Sequence, residues 1–238
     1  MADPNIEMLR LAVEQLGELA DELVFVGGST AGLFITDEAS ADVRATKDVD
    51  AIVEAATYAT YAEFEKRLRS AQFVHDTSED APMCRWIKGD TVFDLLPLKG
   101  EILGFENSWY REAFATATPC QITETVTIRV VTPVYFLATK LEAFTNRGNK
   151  DYLGSSDLED IIAVINGREE IIDEIKNAPD NVRKFISQFF DDLLAQRSFT
   201  DALPGHLNPD VSRISIVRDR LKQIAVAAIT VDKKSDYK

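Results

Sequence analysis

Histidine and cysteine are both scarce here, two of each in 238 residues. Cys84 and Cys120 stand 36 residues apart with no metal-type cluster around either. They read as reduced, core or half-buried thiols of a cytosolic protein. His75 and His206 have no Cys or carboxylate at ligand spacing, so a histidine-based mechanism has no support. Basic residues are in deficit, 26 against 40 acidic ones, for a net charge of −14. That balance argues against whole-surface binding to nucleic acid or anionic membranes, but leaves room for a local basic groove. No stretch reaches the roughly 18 apolar residues that span a bilayer, and Met1-Ala-Asp-Pro-Asn-Ile-Glu7 has neither the basic nor the apolar part of a signal segment. A cytoplasmic protein without membrane contact is expected. Three motifs are missing as well. There is no Gly-x-x-x-x-Gly-Lys-Ser/Thr phosphate loop, Gly27 to Gly32 lacks the Gly-x-Gly-x-x-Gly spacing, and no Gly-x-Ser-x-Gly surrounds Ser29.

With 45% apolar and 28% charged residues, the composition is that of an ordinary globular chain with a well-filled core. Asp3-Pro4 starts a helix that runs at helical spacing to about Ala20. Val24–Val26 is a brief apolar strand ended by Gly27-Gly28-Ser29, after which a helix can start. A polar connection, 37–47, leads to a strand at Asp48–Val53, followed by a helix at Thr60–Ala71 and a short strand at Phe73–His75. Gly89-Asp90 is a two-residue hairpin signal between 83–88 and 91–96. A short helix at Trp109–Ala115 and strands near 121–123 and 126–131 complete the first half. From Thr132-Pro133 the pattern is helical: 134–144, a capping box at Ser156-Asp-Leu-Glu159 opening a helix to Ile165, then 169–176, 180–196 and Ser212–Ile229. Ser198–Asp210, with two prolines and Gly205, reads as a loop. A mixed α/β domain over 1–132 followed by a helical domain over 133–238 is the organisation expected.

The chemistry concentrates at Gly27-Gly28-Ser29 and Asp48-Val-Asp50. Two glycines let a backbone approach a phosphate, Ser29 adds a hydroxyl, and the N–H groups of a following helix point at an anion. Carboxylates at i and i+2 of a strand share a face. Asp94 lies inside the apolar run Val92-Phe-Asp-Leu-Leu96, where a carboxylate is costly unless it is paired, bound to metal or on an open edge. Three such aspartates could hold Mg²⁺, which takes oxygen ligands and leaves positions for phosphates. Lys140, Arg147 and Lys150 cluster within eleven residues, suiting a triphosphate, although Lys140 also fits the solvated face of a helix. Asp157 sits in a first helical turn, where the dipole favours an acid, and Asp160 could simply be exposed.

In order and type these residues resemble the nucleotidyltransferase superfamily that includes DNA polymerase beta. They look closest to the AbiEii-type toxins of type IV toxin–antitoxin and abortive-infection systems. The matching pattern is Gly27-Gly28-Ser29, Arg44-Ala-Thr46-Lys-Asp48-Val-Asp50, Asp94, Lys140-Leu-Glu-Ala143, Arg147 and Asp157-Leu-Glu-Asp160. The gap from Ser29 to Asp48 exceeds the minimal superfamily pattern and leaves room for a structured excursion at 37–47. The resemblance implies an α/β nucleotidyltransferase-like fold and transfer of a nucleotide from an NTP to a hydroxyl. The implied acceptor is RNA, such as a tRNA 3′ end, or a protein side chain, and the implied partner is a cognate antitoxin. It further implies Mg²⁺ on Asp48 and Asp50, two ions during turnover, with Asp94 assisting or acting as base. Gly27, Gly28 and Ser29 would hold phosphates, Arg44, Lys140, Arg147 and Lys150 would neutralise the nucleotide, and Asp157 would orient acceptor or nucleotide. A non-catalytic module of the same fold and a small-molecule (aminoglycoside-type) nucleotidyltransferase are the competing readings.

Overall fold

The computed structural model describes residues 3–104, 106–207 and 210–228. These residues form nine α-helices and a seven-stranded mixed sheet, divided into two compact units. One runs through Leu33 and resumes at Ala45–Thr132; the other consists of Phe34–Arg44 together with the chain from Pro133 on.

The first unit holds the sheet. Asp3 caps α1 (Pro4–Leu16) by accepting from Asn5 N–H, with proline at the first helical position. The helix stops at Leu16, earlier than its apolar spacing predicts, because Gly17 turns away at φ +57° and a 3-10 segment, Gly17–Glu22, follows. Strands β1 (Leu23–Val26), β2 (Val49–Val53), β3 (Val74–His75), β4 (Arg85–Lys88), β5 (Thr91–Pro97), β6 (Thr118–Gln121) and β7 (Thr127–Val130) pair in the order β3-β4-β5-β2-β1-β7-β6. β2 lies antiparallel to β1 and parallel to β5, so the centre of the sheet is mixed. Its apolar residues, among them Phe25, Ile52, Phe93 and Leu95, are fully buried. Helix α2 (Tyr58–Ser70) covers it with Tyr61, Phe64 and Leu68, and the Tyr61 hydroxyl donates to the Leu95 carbonyl at 2.9 Å. The short α3 (Tyr110–Ala115) completes this unit.

The second unit is helical: α4 (Pro133–Arg147), α5 (Ser156–Gly167), α6 (Ile171–Asn177), α7 (Asp180–Leu194), α8 (Arg197–His206) and α9 (Ile214–Ala225). Ser155, one residue earlier than the expected capping box, caps α5 by accepting from Leu158 N–H. The segment expected to be a loop at 198–210 is helical through His206. Pro204 removes one bond near the end of α8, while Phe199 and Leu203, four apart and fully buried, hold the helix in place. Residues 208–209 and Ile229, the expected end of the last helix, lie outside the described residues.

The excursion before Asp48 belongs to this helical unit as far as Arg44. Thr36 and Asp37 donate their backbone N–H groups to Gly167 O at the end of α5, and the Phe34 ring packs on Phe136 at 5.1 Å. Arg213 bonds both Asp37 and Asn166, and Arg220 donates to Ile165 O and Asn166 O. The last carbonyls of α5 thus face two guanidinium groups, as a helix C-terminus favours.

Candidate active site

In the sheet unit, strand register assembles the aspartates. Val26 of β1 pairs with Asp50 of β2, Asp50 with Asp94 of β5, and Asp94 with Arg85 of β4. Asp48 lies just before β2. Thr46 fixes it there, donating its N–H to the side-chain Oδ1 of the buried Asn5 at 2.9 Å and its hydroxyl to Asp48 O at 3.2 Å. Asp94 is buried on an interior strand, which overturns the alternative of a water-facing edge.

Gly27 shows why the glycine turn and the Asp-x-Asp belong together. Its φ is +77°, and a Cβ there would stand 2.0 Å from Asp50 Oδ2. Only glycine admits both that backbone conformation and that carboxylate. Gly27 O accepts from the N–H and hydroxyl of Thr30, closing the 3-10 turn Gly28–Phe34 that replaces the expected α-helix start. Ser29 is buried, and its Oγ has no hydrogen-bond partner among the described residues.

Arg85, which the sequence reading did not single out, sits among the carboxylates. Its Nε and Nη2 donate to the two Asp94 oxygens at 2.9 and 2.8 Å, and Nη2 reaches Asp48 Oδ2 at 2.5 Å. The signal was present: a two-residue turn at Gly89-Asp90 sets Lys88 opposite Thr91 and therefore Arg85 opposite Asp94. Burial raises the Asp94 carboxyl above its ordinary range; Arg85 pulls it back, and the charges of Asp48 and Asp76 add to the rise. Cys84, beside them, is pushed up to about 12 by burial and by the charges of Asp94 and Asp50.

The donor chemistry suits a hard cation. Asp48 and Asp94 meet at one guanidinium nitrogen, Asp50 is in register with Asp94 and pressed against Gly27, and the buried Ser29 hydroxyl has no partner among the described residues. As they stand, no three acidic, imidazole or thiol groups among the described residues converge on one metal position, and Arg85 lies between Asp48 and Asp94.

The other candidates fall in the helical unit. Lys140 of α4 is buried rather than on a solvated helix face, and its ammonium contacts Asp157 at 3.0 Å and Asp160 at 2.7 Å. Asp160 is buried, which overturns the alternative of an exposed residue, and it also receives both ends of the Arg44 fork at 2.7 and 3.0 Å. Arg147 donates to both Asp157 oxygens at 2.9 and 2.8 Å while 68% of its side chain stays exposed. Burial alone would raise the Asp157 carboxyl, but the Arg147 hydrogen bonds and the charges of Lys140 and Arg147 hold it below the usual range. Lys150 is exposed, at the left-handed φ of 60°.

No family model matches this chain, and no curated protein matches it. Among solved structures it is similar to an antigenic nucleotidyltransferase-like protein from Paracoccidioides brasiliensis, with 17% identity and a TM-score of 0.50 over 93% of this chain and 94% of that one. Identity at that level speaks to fold alone. The fold is nucleotidyltransferase-like: a mixed sheet flanked by helices, followed by a largely helical second half. No helix among the described residues is long and apolar enough to cross a membrane.

Proposed function

We propose that this chain is a Mg²⁺-dependent nucleotidyltransferase acting in the cytoplasm. In this reading it moves an NMP from an NTP to a hydroxyl of RNA, such as a tRNA 3′ end, or of a protein, as the toxin of a type IV system held in check by a cognate antitoxin. The observation that carries the reading is the register setting Asp50 beside Asp94, with Gly27 pressed against Asp50. Mg²⁺ on Asp48, Asp50 and Asp94 would supply charge stabilisation at the attacking and leaving oxygens. The acceptor oxygen forms a bond to the α-phosphorus, the bond to pyrophosphate breaks, and the acceptor proton passes to the Asp94 carboxylate. Gly27, Gly28 and Ser29 receive the phosphates. In the helical unit we assign the exposed Arg147 and Lys150 to nucleotide or acceptor charge, and Lys140 and Arg44 to holding Asp157 and Asp160 in position.

The test is label transfer from each α-labelled NTP to total RNA or lysate protein, with and without Mg²⁺. The double variant Asp48→Asn/Asp50→Asn should lose at least about a hundredfold, the scale of one preorganised electrostatic contact. Transfer that survives it would overturn the mechanism. One observation favours a second reading, a non-catalytic module: Arg85 already bridges Asp48 and Asp94.

A further inference from the structure

We infer that Arg85 is a built-in counter-cation competing with a divalent metal ion for Asp48 and Asp94, so that metal enters only as the guanidinium leaves. The inference rests on the proposed reading of these carboxylates as metal ligands. A single guanidinium makes three bonds of 2.5–2.9 Å to oxygens of two carboxylates. It therefore lies between them, in the space that an ion about 2.1 Å from each oxygen would need. Both cations cannot use that space: they claim the same lone pairs and repel each other at short range. Exchange is feasible because the Arg85 side chain remains 25% exposed, so the fork can turn toward solvent while β4 stays paired. It also has a purpose. The Asp48 and Asp94 carboxylates repel each other, and Arg85 keeps them together in the geometry that an oxygen-seeking ion requires.

Divalent binding is read from the electron paramagnetic resonance signal of free Mn²⁺ titrated with full-length protein. Arg85→Gln should bind Mn²⁺ at least tenfold more tightly than wild type. Arg85→Lys keeps the charge but loses the fork, and should bind severalfold more tightly. Lys47→Gln removes a charge adjoining Asp48 without vacating the space between the carboxylates, and should stay within about twofold, a surface-charge effect. The metal-induced rise in Tm should follow the same ranking. Equal or weaker Mn²⁺ binding in both Arg85 variants overturns the inference and leaves the metal site standing. A gain in Lys47→Gln matching that in Arg85→Gln, with none in Arg85→Lys, also overturns it, since charge alone would then suffice. No Mn²⁺ binding by any form removes both the inference and the metal reading. Tighter binding by both Arg85 variants without NMP transfer upholds the inference while the catalytic reading falls.

Discussion

The sheet unit and the helical unit each gather carboxylates and cations, in opposite proportions. In the first, Arg85 bridges Asp48 and Asp94, and Asp50 pairs in register with Asp94. In the second, the buried Asp157 and Asp160 are held by Lys140, Arg44 and Arg147. The carboxyls differ accordingly: burial raises both, Asp94 stays above the ordinary range despite Arg85, and Arg147 with Lys140 draws Asp157 below it. An excess of carboxylate is chemistry to which a cation can be added, whereas a saturated network is a clamp. The residue types at the two places are similar; their ratio separates a candidate metal site from a fastening.

Breaking the clamp should have the largest effect. Asp157→Asn leaves Lys140 buried with one carboxylate fewer, and loss of one partner of a buried pair costs about 3–5 kcal/mol. Urea unfolding would measure it, with Asp48→Asn, on a partly exposed side chain, changing stability by under about 1 kcal/mol. If the two substitutions cost the same, the distinction between clamp and site fails.

Next is the glycine that keeps room for Asp50. Gly27→Ala forces both a left-handed backbone and a collision with the carboxylate, so about 1–3 kcal/mol should be lost. The collision can be isolated. In an Asp50→Ala background the same change should cost less by more than about 0.5 kcal/mol, a coupling measurable by a double-mutant cycle. Additive effects would show that only the backbone is strained and that Asp50 is not what Gly27 accommodates.

How much of this was legible follows from the range of the forces involved. The Gly-Gly turn, the Asp-x-Asp strand and the hairpin at Gly89-Asp90 are local, and the chain shows them. Arg85 was legible and overlooked, since turn length alone sets it opposite Asp94. Asp160 was not: its burial depends on Arg44, 116 residues away, meeting α5. Nor was α8, where Pro204 and Gly205 speak for a loop and only the burial of Phe199 and Leu203 overrules them. Composition also offered no way to foresee that residues 34–44 join the helical unit, because Gly167 O and Arg213, which hold them, come far later in the chain.

The smallest effect expected is the dependence of stability on pH, and there the two carboxyls differ in sign. Asp157 has a folded pKa below that of an unfolded aspartate, about 3.9. Its contribution is therefore complete above that value and is lost as pH falls through the lower, folded one. Asp94 has a folded pKa above about 3.9. The folded state holds its proton more tightly than the unfolded chain does, so stability falls as pH rises from there through the raised value. Arg147→Gln, on an exposed side chain, removes the chief influence lowering Asp157 and should flatten the acid limb below about pH 4. Asp94→Asn should leave that limb alone and flatten the decline above it. Stability measured by urea unfolding at closely spaced pH values separates the two. If both variants altered the same limb in the same direction, the opposite charge balance of the two networks would be wrong, and with it the argument that one of them awaits a cation.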